Sequence, residues 1–312
     1  MAAVPHHLYP FEGQRLELDG LSLHYLDEGQ GSPVVMVHGN PSWSLFYRNL
    51  VERLRGQYRT LVPDHIGCGL SEKPPLERYP YTLERRIADL TAFIDRLELD
   101  QPVTLVLHDW GGMIGMSWAV ANPTRVARLV LLNTAAFPLP STKALPFTLG
   151  LVRNTRFGGW LVRRFNAFSR GATTMAVCKP MSRELRDAYT APYDTPANRI
   201  ATLRFVQDIP LGPQDPAHAI VTATAERLHL FTETPTLICW GMRDFVFDRH
   251  FLERWLEYLP HAQVHRFEDA GHYVLEDACE SICTLVAEFL SATDDATEAP
   301  SDDAEQQAGQ GA

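Results

Sequence analysis

The first pattern along the chain is an alternation of apolar and polar residues from Leu16 to Tyr25, interrupted by Asp19-Gly20. Alternation with a period of two is typical of a strand with one buried face, and Asp-Gly favours a two-residue hairpin turn. The segment therefore predicts a two-stranded antiparallel hairpin.

Short apolar runs then alternate with segments of helical periodicity. The runs lie at residues 33–37, 59–62, 103–107 and 129–132, and the helical segments at 44–54, 83–97 and 113–121. After residue 235 the rhythm resumes, with strands at 236–240 and 263–267 and helices at 249–258 and 276–290. Strands that alternate with helices predict an α/β fold with a parallel sheet covered on both faces. Continuous apolar strands fit such a doubly buried sheet.

The alternation stops between residues 138 and 216, where we predict several short helices and no strand. A helical block inserted between strands of one sheet predicts a cap over the carboxyl ends of the strands, where ligands bind in such folds. We assign residues 1–137 and 217–292 to the core domain and residues 138–216 to the helical cap. The expected sheet is eight-stranded and mostly parallel.

Composition and charge narrow the functional classes. The chain has 312 residues, 45% of them hydrophobic, and a net charge of −10, which argues against a nucleic-acid partner. Residues 293–312 contain no large apolar side chain, and we predict a disordered acidic tail there. Its acids are Asp294, Asp295, Glu298, Asp302, Asp303 and Glu305.

No segment has the pattern of an export signal or of a membrane-spanning helix. The five cysteines are an odd number at scattered positions, which favours reduced thiols and a cytoplasmic protein. No phosphate-binding glycine loop or metal-ligand spacing is present, so we expect no metal and no organic cofactor.

The segment most informative about chemistry is His108-Asp109-Trp110-Gly111-Gly112. An apolar strand runs into it and a helical pattern follows, which is the layout of a nucleophile elbow with Asp109 in the place of the usual serine. Backbone N–H groups at the start of the helix can stabilise a developing anion there. The alternative is an aspartate that only caps the helix.

Two further segments favour the catalytic interpretation. Asp244 follows the strand at 236–240, and His272 follows the strand at 263–267. The chain order of nucleophile, acid and histidine is that of the α/β-hydrolase triad. Asp109 would attack carbon, His272 would activate water, and Asp244 would orient the imidazole. Asp248 is a weaker candidate for the acid, because an aspartate at a helix N-terminus is its simpler role.

A fourth segment, residues 38–43, follows the first buried strand and contains Asn40. The side-chain amide of Asn40 and the indole N–H of Trp110 can together bind an anion that forms during the reaction. The alternative role of Asn40 is that of a turn residue before Pro41.

These segments in combination resemble the haloalkane dehalogenases, and the similarity runs from about residue 11 to residue 290. The resemblance implies that Asp109 is the nucleophile, His272 the base, Asp244 the acid, and Asn40 with Trp110 the anion site. Epoxide hydrolases share the aspartate nucleophile and use two cap tyrosines. Tyr189 and Tyr193 lie in the predicted cap, but those enzymes carry an aromatic residue where Asn40 stands.

Other segments resemble more closely the β-lactone decarboxylases of bacterial long-chain olefin biosynthesis. The resemblance lies mainly in the predicted cap, at residues 63–69, 132–140, 165–168, 191–194 and 205–210. It implies conversion of a cis-3-alkyl-4-alkyl-β-lactone (oxetan-2-one) to a cis-alkene and carbon dioxide. Attack of Asp109 at the lactone carbonyl, giving a mixed anhydride that fragments, is the expected route, and the role of His272 in it stays open.

Haloalkane dehalogenase activity remains the alternative, since the same residues would displace halide and hydrolyse the resulting ester. Epoxide hydrolysis is a more distant third. A non-catalytic ligand-binding protein on the same fold is a further class, which loss of activity on replacing Asp109 would exclude.

The predicted cap also reverses the charge of the chain, because residues 141–180 contain seven bases and no acid. These are Lys143, Arg153, Arg156, Arg163, Arg164, Arg170 and Lys179. One interpretation is that they extend over the apolar underside of the cap. The other is a docking surface for an anionic membrane or a partner enzyme, alongside a small apolar substrate in the site.

Overall fold

The computed structural model describes residues 4–298 and contains one eight-stranded sheet. The strands have the spatial order β1-β2-β4-β3-β5-β6-β7-β8, and only β2 runs antiparallel to its neighbours. The eight-stranded, mostly parallel sheet predicted from the sequence is therefore confirmed. The strands are β1 Gln14–Leu18, β2 Leu21–Glu28, β3 Pro33–Val37, β4 Arg59–Pro63, β5 Val103–Asp109, β6 Val126–Thr134, β7 Thr236–Gly241 and β8 Gln263–Phe267.

Twelve α-helices are found among the described residues. They are α1 Arg48–Leu54, α2 Leu83–Arg96, α3 Trp110–Ala121, α4 Phe147–Asn154, α5 Arg156–Phe165, α6 Ala167–Met175, α7 Arg183–Thr190, α8 Ile200–Gln207, α9 Pro216–Glu226, α10 Arg249–Tyr258, α11 Val274–Asp277 and α12 Cys279–Glu298.

The central strands are buried on both faces because alternate side chains enter two apolar layers. Val35 and Val37 pack with α2, α3, α9 and α10, whereas Val34 and Met36 pack with α1 and α12. This arrangement explains why the central strands are continuously apolar. The carboxyl ends of β3, β5, β6, β7 and β8 then meet at one edge of the sheet.

Five short helices, α4 to α8, lie between β6 and α9, and no strand is found there in the described chain. α9 packs on α3, where the Ser117 hydroxyl of α3 is 2.8 Å from the Thr224 hydroxyl of α9. None of the described helices is long and apolar enough to cross a membrane.

The C-terminal helix differs from its prediction. The segment expected as one helix at 276–290 is broken at Ala278, because the Asp277 carboxylate binds the backbone N–H groups of Gly271, Cys178 and Lys179. These bonds tie the end of α11 to the loop before it and to the segment after α6.

The predicted start of the acidic tail at residue 293 is also too early. α12 continues to Glu298, and Asp294 accepts a 2.7 Å hydrogen bond from the Tyr58 hydroxyl and pairs with Arg128. The rest of the predicted tail, residues 299–312, lies outside the described residues.

Candidate active site

Asp109 sits at the sharp bend between β5 and α3, the position predicted for a nucleophile. Its backbone has φ 51° and ψ −124°, a conformation that costs a non-glycine residue energy and that tertiary contacts must hold in place. The Thr134 hydroxyl donates a 2.5 Å hydrogen bond to the Asp109 carbonyl. A Cβ atom on Gly111 would lie 1.9 Å from the carbonyl oxygen of Val37, so the bend requires glycine there.

One carboxylate oxygen of Asp109 accepts a hydrogen bond from a backbone N–H group. The N–H of Asn40 donates to Oδ1 at 2.6 Å, and the N–H of Trp110 also supports the ionised form. A Cβ atom on Gly39 would lie 2.0 Å from the same oxygen, so glycine lets the loop after β3 approach closely. The second oxygen, Oδ2, is left to face the histidine.

His272 joins Asp109 to the predicted acid. Its Nε2 lies 3.6 Å from Asp109 Oδ2, and its Nδ1 lies 2.7 Å from Asp244 Oδ2. All three side chains are buried. The structure thus brings the three predicted triad residues into the arrangement that the chain order implied.

The acid is fixed by residues that the sequence analysis did not single out. The amide of Asn133, at the end of β6, donates to Asp244 Oδ2 at 3.1 Å and to the carbonyl of Gly241 at 3.0 Å. The N–H of Val246 donates to the other oxygen of Asp244 at 2.7 Å. On the histidine side, His108 Nε2 lies 2.9 Å from the His272 carbonyl oxygen. A polar residue directly after the apolar run 129–132 of β6 was the available signal for Asn133.

Burial and charge act in opposite directions on the triad. Burial raises the pKa of the Asp109 carboxyl above its usual value, and the His272 charge and the two N–H donors oppose the rise. For His272 burial disfavours the imidazolium, but the carboxylates of Asp244 and Asp109 outweigh it and raise the pKa. Each of the two groups therefore favours the charged form of the other.

Asn40 and Trp110 both face the site, as the anion-site interpretation requires. The Asn40 amide nitrogen already donates one hydrogen bond, of 3.1 Å, to the carbonyl oxygen of Thr202 in the cap helix α8. An amide nitrogen carries two hydrogens, so the second stays available. The Trp110 ring packs on Phe205, also from α8, with ring centres 5.3 Å apart. Contacts with the cap therefore orient both predicted donors.

Asp109, His272, Asn40 and Trp110 line a cavity of about 290 Å³. Thr148 is a further polar lining residue, and the other walls are apolar and come mostly from the cap, from Phe137 after β6 and from the segment 245–251. The cap contribution includes Leu145, Leu149, Val152, Leu161, Phe168, Met175, Val206 and Ile209. A carboxylate with two facing donors in such walls suits a reaction on an apolar small molecule.

The weaker candidates lie elsewhere. Asp248 caps the N-terminus of α10 and pairs with Lys143 at 2.6 Å, so it does not reach His272. The hydroxyl of Tyr189 donates to Glu276, and that of Tyr193 donates to the carbonyl oxygen of Ser42 at 3.3 Å. Neither tyrosine lines the cavity within the described chain. This placement gives no support to an epoxide hydrolase.

Comparison with known proteins agrees with the architecture. A family model described as the alpha/beta hydrolase fold matches residues 32–278. The chain belongs to the α/β-hydrolase family. The fold class predicted from the sequence is thereby confirmed.

Two relatives within this α/β-hydrolase family are called cis-3-alkyl-4-alkyloxetan-2-one decarboxylase. The protein from Shewanella oneidensis is 56% identical over 92% of this chain and 91% of its own length. That from Xanthomonas campestris is 48% identical over 90% of this chain and 97% of its own length.

A solved structure, a haloalkane dehalogenase from Agrobacterium tumefaciens, superimposes with a TM-score of 0.82 and 28% identity, covering 90% of this chain and 97% of that one. The expected resemblances to both groups are confirmed, and sequence identity is higher with the decarboxylases.

Proposed function

We propose that the protein is a cis-3-alkyl-4-alkyl-β-lactone decarboxylase, a lyase that releases a cis-alkene and carbon dioxide. The observation that carries the proposal is the 56% identity with the Shewanella decarboxylase over nearly the whole of both chains. The geometry supports it, because a buried carboxylate opens into a cavity with apolar walls that suit two alkyl chains. We assign Asp109 as nucleophile, His272 and Asp244 as its partners, and Asn40 and Trp110 as donors to substrate oxygen.

The atom balance favours a point of attack other than the carbonyl expected from the sequence. Attack at the carbonyl breaks the bond between the acyl carbon and the ring oxygen and leaves that oxygen on C4. An alkene could then form only if hydroxide left from C4. Attack of Asp109 at C4 instead breaks the C4–oxygen bond and gives an alkyl ester of Asp109 and a free substrate carboxylate.

The second step then completes the reaction without a water molecule. The bond between C3 and the carboxylate carbon breaks, its electron pair forms the C3–C4 double bond, and the ester bond to Asp109 breaks. Carbon dioxide takes both lactone oxygens, and the Asp109 carboxylate is regenerated. Backside attack places the Asp109 oxygen anti to the substrate carboxylate, so anti elimination preserves the cis arrangement of the chains.

The residues around Asp109 support this movement of charge. In the first step, Asn40 and Trp110 donate to the oxygen that becomes the substrate carboxylate. In the second, negative charge returns to Asp109, where the N–H of Asn40 and the His272 imidazolium stabilise it. Apolar walls disfavour the substrate carboxylate relative to neutral carbon dioxide, which promotes its loss. His272 acts here as a fixed positive charge rather than as a base toward water.

Haloalkane dehalogenase activity is the second candidate, favoured by the 0.82 TM-score with a dehalogenase. Asp109 would then displace halide from carbon toward Asn40 and Trp110. His272 would activate the water that hydrolyses the ester.

The test gives purified protein a cis-dialkyl β-lactone and, separately, a 1-bromoalkane in ¹⁸O-labelled water. We expect alkene and carbon dioxide from the lactone and no label in Asp109 by mass spectrometry. Asp109→Asn should lower the rate at least about a thousandfold. Bromide release with an inert lactone and ¹⁸O in Asp109 would establish the dehalogenase instead.

We also propose that the basic part of the cap, within residues 141–180, is a docking surface for an anionic membrane or a partner enzyme. Some of the seven bases in this segment pair within the molecule and others are exposed.

A further inference from the structure

Four of the seven cap bases are used within the molecule. Lys143 pairs with Asp248, Arg153 pairs with Asp215, Arg163 donates to the carbonyl oxygen of Pro196, and Lys179 donates to that of Asp277. The other three, Arg156, Arg164 and Arg170, are exposed, and their side chains form no ion pair or hydrogen bond with any residue that the structure describes. The predicted docking surface is thus reduced from seven bases to three arginines.

Aromatic side chains stand beside these arginines. Phe157, Trp160 and Phe165 are 58%, 52% and 48% exposed, a large apolar area to leave in water. Their rings touch one another, with centres 5.9 Å apart for Phe157 and Trp160 and 5.0 Å for Trp160 and Phe165. The guanidinium of Arg164 lies 5.5 Å from the centre of the Phe165 ring. We call these three aromatic residues with Arg156 and Arg164 the α5 face.

The helix itself explains why this face is turned outward. Arg156, Trp160 and Arg164 are spaced by four residues and share one side of α5, while Gly158, Gly159 and Val162 on the other side are buried. A Cβ atom on Gly158 would lie 2.4 Å from the Leu151 carbonyl oxygen, so α5 packs directly on α4. Arg199 donates to the carbonyl oxygens of Arg163 and Arg164 and so fixes the C-terminal end.

The positive charges also lie close together. Repulsion from Arg170, Arg164 and Arg163 adds to burial in lowering the pKa of Arg199. Asp194 partly opposes this effect on Arg199, and the segment from 141 to 180 contains no acidic residue, although the whole chain carries −10. The attraction to an anionic surface is therefore local to the cap and would orient the molecule.

Exposed apolar residues of the cap also lie at or beside the cavity wall. Met175 lines the cavity and is 58% exposed, and Phe147, between the lining residues Pro146 and Thr148, is 83% exposed. Leu161, which follows Trp160, also lines the cavity. The helix α5 therefore contributes both to the exposed face and to the cavity wall.

We propose that the α5 face docks on the surface of an anionic lipid bilayer. The aromatic rings enter the interface between headgroups and acyl chains, and Arg156 and Arg164 of the face, together with Arg170 of α6, bind the lipid phosphates. Tryptophan and arginine side chains suit this interface, since each has an apolar body and a polar end. Docking rests on this surface alone. Only its purpose, the uptake of a lipophilic lactone from the bilayer, rests on the proposed function.

Tryptophan fluorescence can report this contact. All six tryptophans lie within the described residues, and Trp160 is exposed whereas Trp43, Trp110, Trp118, Trp240 and Trp255 are buried. Vesicles of phosphatidylglycerol and phosphatidylethanolamine should shift the tryptophan emission to the blue, and brominated lipids should quench it. Trp160→Phe should abolish both signals but still sediment with the vesicles.

Sedimentation with the same vesicles measures separately what the arginine charges and the aromatic side chains contribute to binding. At low salt we expect the wild type to bind, and phosphatidylcholine vesicles to bind it at least about tenfold more weakly. Arg156→Glu with Arg164→Glu, and separately Phe157→Ser with Trp160→Ser, should each lower binding by about tenfold or more. The matched control reverses Arg227 and Arg249, two exposed arginines of the core, to glutamate and should bind as the wild type does.

The test requires no substrate, so its result is independent of the enzymatic assay. Equal losses in the cap and core charge variants would contradict an oriented face. Binding to polyglutamate without sedimentation on any vesicle would replace the bilayer with an acidic protein and overturn the proposal. Circular dichroism spectra that match the wild type show that each variant is folded.

Discussion

Asn133 shows at the scale of a single residue how the acid of the triad is held. Its amide nitrogen donates to Asp244, and its Oδ1 accepts the N–H of Gly241 at 2.7 Å. Asn133 has a positive φ of 36° and is completely buried. It joins the ends of β6 and β7 and leaves Asp244 one orientation toward His272.

We predict that Asn133→Ala lowers turnover more than it raises KM. The change removes a donor from a buried carboxylate, so stability should fall by about 1–3 kcal/mol. Rotation of Asp244 would loosen the imidazole, and kcat should fall by about 10–100-fold, by analogy with supporting residues at metal sites. Steady-state kinetics and urea unfolding measure the two effects. Asn133→Asp is the matched variant, and unchanged kcat in both would show that Asn133 acts on the fold alone.

The titration of the Asp109–His272 pair gives a prediction that separates the two candidate reactions. Asp109 must be ionised to attack, and its raised pKa places the acid limb of the rate above the pH at which an ordinary aspartate, with a pKa of 3.8, would titrate. His272 is charged below its own raised pKa, which lies above the ordinary 6.5. In the decarboxylase the charged form is active, so kcat should fall as pH rises through the pKa of His272.

A dehalogenase would show the opposite slope, because only neutral His272 can accept a proton from water. A pH profile of kcat with the lactone, compared with that of His272→Gln, distinguishes the two. We expect the variant to be slower and to lose the alkaline limb. A rate that increases through the pKa of His272 would contradict the role of a fixed positive charge.

At the scale of elements, the bend between β5 and α3 lies where the sequence predicts it. The strand, the glycines and the start of a helix are local signals, and parallel strands bring their carboxyl ends together without further information. Asp109, Asp244 and His272 were therefore recognisable from sequence position. The contacts that orient the side chains of the site were not predictable from the sequence. Asn40 meets Thr202 of the cap, 162 positions along the chain.

Local patterns also failed where a distant group interrupts a helix. The periodicity at 276–290 favours one helix, and nothing near Ala278 in the sequence breaks it. The break arises because the Asp277 carboxylate binds backbone N–H groups almost 100 residues away, at Cys178 and Lys179. Such a bond depends on the finished cap and is invisible to periodicity.

The close approach of β3 to α3 gives a prediction at this scale. Gly111→Ala places a Cβ atom 1.9 Å from the Val37 carbonyl oxygen, and the rigid strand cannot move away. We expect a loss of stability of about 3 kcal/mol or more, together with loss of activity. Gly56→Ala is the control, since nothing lies within 4 Å of its added methyl group. Thermal unfolding compares the two, and similar melting temperatures would mean that the bend tolerates a side chain.

At the scale of the whole molecule, cap and core are joined by polar contacts as well as by the cavity walls. Arg48 of α1 forms a bidentate pair with Glu276 of α11, at 2.5 and 2.8 Å, and the hydroxyl of Tyr189 from α7 donates to the same carboxylate. The side chains of Arg48 and Glu276 are only 9% and 6% exposed. The pair thus links a core helix, the segment after His272 and the cap at one point.

A buried pair of this kind predicts a large asymmetry between single and double variants. Among the described residues, Arg48→Met leaves the buried Glu276 carboxylate with Tyr189 as its one hydrogen-bond partner, and the change should cost about 3–5 kcal/mol. Adding Glu276→Leu removes the stranded charge, so the double variant should recover a large part of that loss. Urea unfolding of the wild type, both single variants and the double variant completes the double-mutant cycle.

Activity should follow the same pattern. Because α11 begins just after His272 in the chain, the Arg48→Met variant, with its unpaired Glu276 carboxylate, should also lose turnover, and the double variant should regain it. Additive losses would show instead that the two side chains act independently and that the ion pair does not hold the cap to the core.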